Sequence, residues 1–166
     1  MSSNHGPAYI CVARHGETDW NVSGILQGWL DVPLNDRGRR QAYELVAGFA
    51  HARFAKLYSS SLVRSSETAE IVARSLRLPP PEFDDGLRER NFGAIQGIPK
   101  AELAELNPVL LQQILKRNPA TDFEQGETMD EFADRVLDAI ARIARPNAGK
   151  RVLAITHGWT IDVITR

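Results

Sequence analysis

The chain has 166 residues, 43% of them hydrophobic and 25% charged. That is the make-up of a soluble globular protein, and at roughly 150 residues per domain it favours one domain. Twenty basic residues against twenty-one acidic ones give a net charge of −1, which argues against a protein built for nucleic acid or membrane surfaces, since both need a basic excess.

The single cysteine, Cys11, excludes an intrachain disulfide and a cysteine-rich zinc site. Met1–Pro7 is polar and reads as a frayed terminus. Tyr9–Ala13 is a continuous apolar run of strand formers, the pattern of a strand buried on both faces, with Cys11 as a small buried residue in its middle. The run is too short for a signal peptide or a membrane span, so the expected setting is the reduced cytoplasm. It ends abruptly at Arg14-His15-Gly16-Glu17. Gly16 to Gly38 has no period and is punctuated by Gly24, Gly28 and Pro33, so it reads as a long functional loop. Asn35 then caps a predicted helix carrying Ala42, Leu45, Val46, Phe49 and Ala50 at helical spacing.

Lys56–Ser59 predicts a second short strand, and a helix from near Ser61 carries Leu62, Ala69, Val72, Ala73 and Leu76 on one face. Pro79-Pro80-Pro81 stops it, an extended piece Glu82–Asp84 follows, and Leu87–Gly97 is turn-rich. Pro99 suits the first residue of a helix over Ala101–Leu106, while Pro108 and Pro119 break up what comes next. Thr128-Met129-Asp130-Glu131 is a capping box ahead of a stripe of Met129, Phe132, Val136, Ile140 and Ile143. Arg151–Thr156 is another buried-type strand, and it ends at His157-Gly158. Strands alternating with amphipathic helices predict an α/β sandwich with a largely parallel sheet, which binds ligands at the carboxyl ends of its strands. His15 and His157 each follow a strand directly. If those strands are parallel neighbours, both imidazoles reach one edge of the sheet.

Three further features point to an anion at that edge. Ser59-Ser60-Ser61-Leu62-Val63-Arg64 follows a strand and opens a helix, where free N–H groups and an arginine fork suit a phosphate. Leu87-Arg88-Glu89 with Phe92-Gly93 places a carboxylate in a glycine-flanked loop, where it could serve as a general acid. Thr156-His157-Gly158 offers a tight strand-to-helix turn. Each also has a blander reading as a solvated arginine, a solvated glutamate or a turn glycine. Glu17 reads as structural or orienting, Arg88 as a substrate contact or otherwise a surface charge, His5 and His51 as solvated, and Trp20 and Trp29 as loop packing. The histidines lack metal-ligand spacing, so no metal is expected, and no G-x-x-x-x-G-K-[ST] cradle is present.

Taken together, these motifs resemble the histidine phosphatase superfamily, the phosphoglycerate mutase-like family, from Tyr9 to the end of the chain. The matching residues are Arg14-His15-Gly16-Glu17-Thr18 with Trp20-Asn21, Gln27-Gly28, Leu34-Asn35 with Gly38 and Gln41-Ala42, then Ser61-Leu62-Val63-Arg64 with Thr68-Ala69. Leu87-Arg88-Glu89 with Phe92-Gly93, Gly126-Glu127-Thr128 and Thr156-His157-Gly158 complete the set. The resemblance implies a three-layer α/β/α sandwich and one catalytic domain over 1–166. It implies His15 as the phosphorylated nucleophile, Arg14, Arg64 and His157 as phosphoryl grips, and Glu89 as the general acid and then the base for water. Asn21, Gln27, Gly28 and Gly158 join the phosphate-binding set.

The implied activity is hydrolysis of a small phosphorylated metabolite, with neither metal nor organic cofactor. Nucleic acid and membrane partners are not expected, and a homodimer is compatible with the family. The alternative is a cofactor-dependent phosphoglycerate mutase, which would use 2,3-bisphosphoglycerate. Only about thirty residues separate Gly97 from Glu127, and their basic residues, Lys100, Lys116 and Arg117, are few for a mutase clamp. A catalytically silent phosphate-binding regulatory domain is the second alternative; the complete set of Arg14, His15, Arg64, Glu89 and His157 argues against it. Two departures stand out. Trp159 occupies a position where the family usually has glycine, and the chain ends at Arg166, so a C-terminal helix or strand segment is expected to be missing.

Overall fold

The computed structural model describes residues 6–166. Most of the stretch predicted to fray, and His5 with it, lies outside them. The elements run β1 (Tyr9–Arg14), α1 (Asp19–Ser23), α2 (Asp36–Gly48), β2 (Lys56–Ser59), α3 (Val63–Ser75), β3 (Glu82–Phe83), α4 (Lys100–Leu106), α5 (Pro108–Leu115), α6 (Met129–Ala144), β4 (Arg151–Thr156) and α7 (Gly158–Thr165). All four strands are parallel, in the order β1-β4-β2-β3.

Side chains alternate across a strand, and that alternation divides the core. Leu153 and Ile155 of β4 face one side with Leu57, Ala69, Val72 and Ala73, against which Leu45 and Val46 of α2 and Phe49 just beyond its end pack. Val152 and Ala154 face the other side, against Ala139 and Ile143 of α6. Helices on both faces give the three-layer sandwich. A third apolar cluster, built from Leu26, Phe92, Leu103, Ile114, Phe123, Phe132, Val136 and Trp159, lies beyond the sheet and forms the roof over the strand ends.

The structure corrects several local expectations. Tyr9–Ala13 is not buried on both faces: Tyr9 is exposed and Ile10 to Ala13, Cys11 included, are half-buried. Among the described residues β1 lies at the edge of the sheet with β4 as its one neighbour, and an edge has protein on one side only. The central β4, by contrast, is buried from Val152 to Thr156. The long loop contains a short helix, α1, closed at its N-terminus by a capping box between Thr18 and Asn21. Pro108 opens a helix rather than breaking one. It sits in the first turn of α5, where its missing N–H costs nothing, with Asn107 as the cap. Pro99 is the cap of α4 rather than its first residue, and α3 begins at Val63. No helix among the described residues is long and apolar enough to cross a membrane.

Candidate active site

Strand register brings the two histidines together. Arg14 pairs with Thr156 across β1 and β4, so the residues that follow them, His15 and His157, leave the sheet side by side with ring centroids 5.1 Å apart. His15 Nδ1 lies 2.7 Å from the Gly16 carbonyl oxygen. A carbonyl only accepts, so Nδ1 carries the ring proton and Nε2 is left with a bare lone pair. The Arg64 Nε–H donates to that nitrogen at 3.3 Å. Burial first, then the Arg64 charge and, less strongly, Arg14, push the His15 pKa down to about 3, against the Gly16 contact that raises it. The imidazole is therefore neutral and its nucleophilic nitrogen is available at physiological pH. The turn that aims it is tight: a Cβ on Gly16 would lie 2.3 Å from the Gly38 carbonyl oxygen, and one on Gly38 would lie 2.1 Å from that of Glu17. Only glycines allow the first turn of α2 to cross so close to this backbone.

Arg64 enters from the first turn of α3 and is almost fully buried. Its Nη1 donates to the Leu30 carbonyl at 3.0 Å and its Nη2 to the Gly28 carbonyl at 2.7 Å, so the loop predicted as functional is the arginine's socket. Burial lowers its pKa to about 10, with Glu89 and Asp31 opposing, and the guanidinium stays charged at neutral pH. His157 is fully buried; its Nε2 meets Ser60 Oγ at 2.8 Å and its Nδ1 has no partner among the described residues. Burial, then Arg64, holds its pKa well below the usual histidine value.

Glu89 sits on the far side of the same cavity. Its Oε1 accepts from the Arg90 N–H at 3.0 Å and its Oε2 from the Trp159 N–H at 3.3 Å. Burial raises its pKa, outweighing these N–H groups and the Arg64 charge. A carboxyl whose burial favours the protonated form, beside a neutral imidazole, is the kind of pairing that acid-assisted displacement uses.

Two cavities adjoin His15. The larger, ≈ 620 Å³, lies toward α2 between Arg14, Glu17, Gln41, Glu44 and Lys100. The smaller, ≈ 220 Å³, is lined by His15, Arg14, Arg64 and Glu89 together, with Asn21, Gln27, Gly28 and Gly158. The smaller is the candidate site, because there the His15 imidazole, the Arg14 and Arg64 cations and the Glu89 carboxyl converge. Every residue expected at the site except the fully buried His157 lines that cavity. Asn21 and Gln27 turn their Oε1 or Oδ1 oxygens to Thr18, which leaves their amide N–H groups without a partner among the described residues. Glu17 orients, accepting from Asn35 Nδ2 at 3.1 Å. Arg88 is not a lining residue: it pairs with Asp85 and lies over the Trp29 ring. His51 is exposed.

Several residues take part at the site in ways the sequence did not announce. Trp29 does more than pack its loop, since its Nε1–H donates to the Glu89 carbonyl at 2.7 Å. Arg135 of α6 donates to the carbonyls of Gly86, Arg88 and Glu89 at 2.9 to 3.1 Å and forks onto Glu127 at 2.6 and 2.8 Å. Glu127 in turn accepts the Asn91 N–H at 2.8 Å. Together they clamp the acid loop on both sides of Glu89. The one hint was position: Arg135 flanks the apolar stripe three residues after Phe132. Trp159 turns into the roof, its ring near Phe92 and Phe123 and beneath the Arg90 guanidinium, while its edge lines the cavity. Arg117 also reaches the cavity wall, but it is ion-paired with Asp162 and donates to Gly158 O.

The family model of the histidine phosphatase superfamily (branch 1) matches residues 10–166. Phosphoglycerate mutase-like protein 4 of Arabidopsis thaliana is 36% identical over 156 residues, 93% of this chain and 68% of that protein. The uncharacterized phosphatase PhoE of Bacillus subtilis (strain 168) is 35% identical over 155 residues, 93% of this chain and 74% of that protein. Among solved structures, Bacillus stearothermophilus YhfR superposes with a TM-score of 0.86 at 31% identity, over 95% of this chain and 77% of that one.

Proposed function

The chain belongs to the histidine phosphatase superfamily and is a phosphoryl-transfer enzyme of that kind, and from this premise we propose that it hydrolyses a small phosphomonoester through a phosphohistidine intermediate. The observation that carries the reading is the meeting, in one cavity, of a neutral imidazole with a bare Nε2, a buried arginine on that nitrogen and a carboxyl of raised pKa.

In the first step His15 Nε2 attacks phosphorus and the bond to the ester oxygen breaks. Protonated Glu89 gives its proton to the departing alkoxide, so no free alkoxide is released. In the second step the Glu89 carboxylate takes a proton from water, the water oxygen attacks phosphorus, the P–N bond breaks and inorganic phosphate leaves. Charge spread over the phosphoryl oxygens is met by Arg14, Arg64 and His157, with the N–H groups of Asn21, Gln27, Gly28 and Gly158 around them. These groups supply the charge that a metal would supply elsewhere, so we propose turnover without metal or organic cofactor. The proposed partner is a soluble phosphorylated metabolite in the cytoplasm, and no nucleic acid or membrane.

The cavity wall narrows the leaving group. Ile25, Leu26, Phe92, Ile114, Leu115 and Trp159 present apolar surface, and Arg117 is held by Asp162. Lys100 is the lining cation on that side with no ion-pair partner among the described residues. A leaving group with an apolar face fits this wall better than the second acidic group that a mutase substrate carries. Incubation with 3-phosphoglycerate and a trace of 2,3-bisphosphoglycerate separates the readings. Slow release of inorganic phosphate, with an acid-labile phosphoenzyme that His15→Ala abolishes, is expected; rapid formation of 2-phosphoglycerate without phosphate release overturns the hydrolase.

A further inference from the structure

A buried imidazole must account for both ring nitrogens. His157 is fully buried, its Nε2 is 2.8 Å from Ser60 Oγ, and its Nδ1 has no partner among the described residues. Ser60 is fully buried too. Its backbone N–H donates to Ile155 O of β4 at 3.1 Å, so the residue is fixed relative to the strand that delivers His157.

The hydroxyl has one proton and two lone pairs. The Leu62 N–H, at 3.2 Å, brings its own proton and takes one lone pair. That leaves His157 Nε2 as the acceptor within reach of the Ser60 proton. Were Nε2 itself protonated, the Ser60 proton would be stranded without an acceptor in a fully buried place. Neutrality closes the argument. Burial and the neighbouring Arg64 keep His157 uncharged, so a donor at Nδ1 has to come from the choice of tautomer and not from a second proton.

We propose that Ser60 is a positioning residue that fixes His157 as its Nδ1–H tautomer, making it a hydrogen-bond donor to a phosphoryl oxygen held beside His15. The phosphoryl part rests on the function proposed above; the tautomer rests on the hydrogen bonds alone. The two histidines then share one tautomer and do opposite work. His15 spends its proton on the Gly16 carbonyl and keeps a lone pair for attack. His157 spends its lone pair on Ser60 and keeps a proton for the charge that attack creates.

The chain has only four histidines, so ring nitrogens are readable by long-range 1H–15N correlation in histidine-labelled protein without phosphate. His157, identified by the signals missing from His157→Asn, is expected to show a protonated Nδ1 and a bare Nε2. Ser60→Ala is expected to populate the Nε2–H form and Ser60→Thr, which keeps the hydroxyl, to retain the first. On p-nitrophenyl phosphate, Ser60→Ala is expected to lower kcat by about 10- to 100-fold and to weaken inhibition by inorganic phosphate, with Ser60→Thr recovering most of both. A wild-type His157 protonated on Nε2 overturns the proposal, and so does a Ser60→Ala protein with unchanged tautomer and turnover. If Ser60→Ala does not fold, the wild-type spectrum still decides. The expected tautomer in a protein that neither binds phosphate nor forms phosphohistidine supports the Ser60 assignment and overturns the phosphatase, so the two fail separately.

Discussion

The two halves of the site are held by different means. On the nucleophile side, backbone positions the groups: β1–β4 register sets His15 and His157, and the first turn of α3 delivers Arg64. On the acid side, residues 84–97 hold no regular element beyond two short 3-10 turns, and side chains from far along the chain do the holding. Arg135, Glu127 and Trp29 all bind the backbone around Glu89. A group placed by a strand end is rigid because a whole ladder must move with it. A group placed by a clamp depends instead on side chains remote in sequence, so its position can be altered without disturbing the sheet.

Four substitutions and one titration sharpen or break this contrast. The largest effect is expected of His15→Ala, which should lower turnover of any phosphomonoester by roughly 10⁴-fold or more while leaving the fold intact. Undiminished phosphate release would dissolve the nucleophile side altogether. Arg64→Met should lower kcat by about 10²- to 10³-fold for every substrate alike, because it removes a charge facing the transferring group. Its loss also frees the Gly28 and Leu30 carbonyls, so circular dichroism and melting should accompany the kinetics.

The acid side should respond to the leaving group instead. Glu89→Gln should cost about 10²- to 10⁴-fold on an alkyl phosphate, which needs a proton, and far less on p-nitrophenyl phosphate, which does not. The alkaline fall in kcat/KM set by the raised Glu89 pKa should vanish with it. Equal losses on the two substrates would remove Glu89 from the acid's role. Arg135→Met should reproduce this selective pattern at about tenfold, with roughly 1–3 kcal/mol of stability lost as Glu127 loses its ion pair and the Gly86, Arg88 and Glu89 carbonyls lose a donor. A loss of stability without leaving-group dependence would make the clamp merely structural.

The last test is a slope. His15 titrates at about 3 in the folded protein against 6.5 ordinarily, so on acidification the unfolded chain takes up its proton first. The stability that its neutral form provides is therefore complete above pH 6.5 and is lost as the pH falls toward 3, by at most about 1.4 kcal/mol per pH unit for this group. His157 adds a slope of the same sign. Denaturant midpoints from pH 7 to 4 should decline less steeply in His15→Ala.

Sequence reading succeeded where chemistry and chain order coincide. Arg14-His15-Gly16, Leu62-Val63-Arg64 and Thr156-His157-Gly158 lie at element boundaries that apolar runs announce, so parallel pairing alone brings them to one edge. It erred on β1, because a run of apolar residues records that a strand packs but not that it lies at an edge. It read Trp29 only as loop packing, Ser60 only as part of a helix-opening stretch and Arg135 not at all, because each resembles its abundant solvent-facing or packing counterparts until a partner about 40 to 100 residues away is in contact.

The sequence by itself therefore determined the parallel α/β architecture, the family and which residues gather at the candidate site, since these depend on local period and on residue chemistry. Only the tertiary structure decided what each imidazole nitrogen meets, which carboxyl is buried with its pKa pushed up and what clamps its loop. Those properties arise from distances between side chains remote along the chain, and no local pattern encodes them.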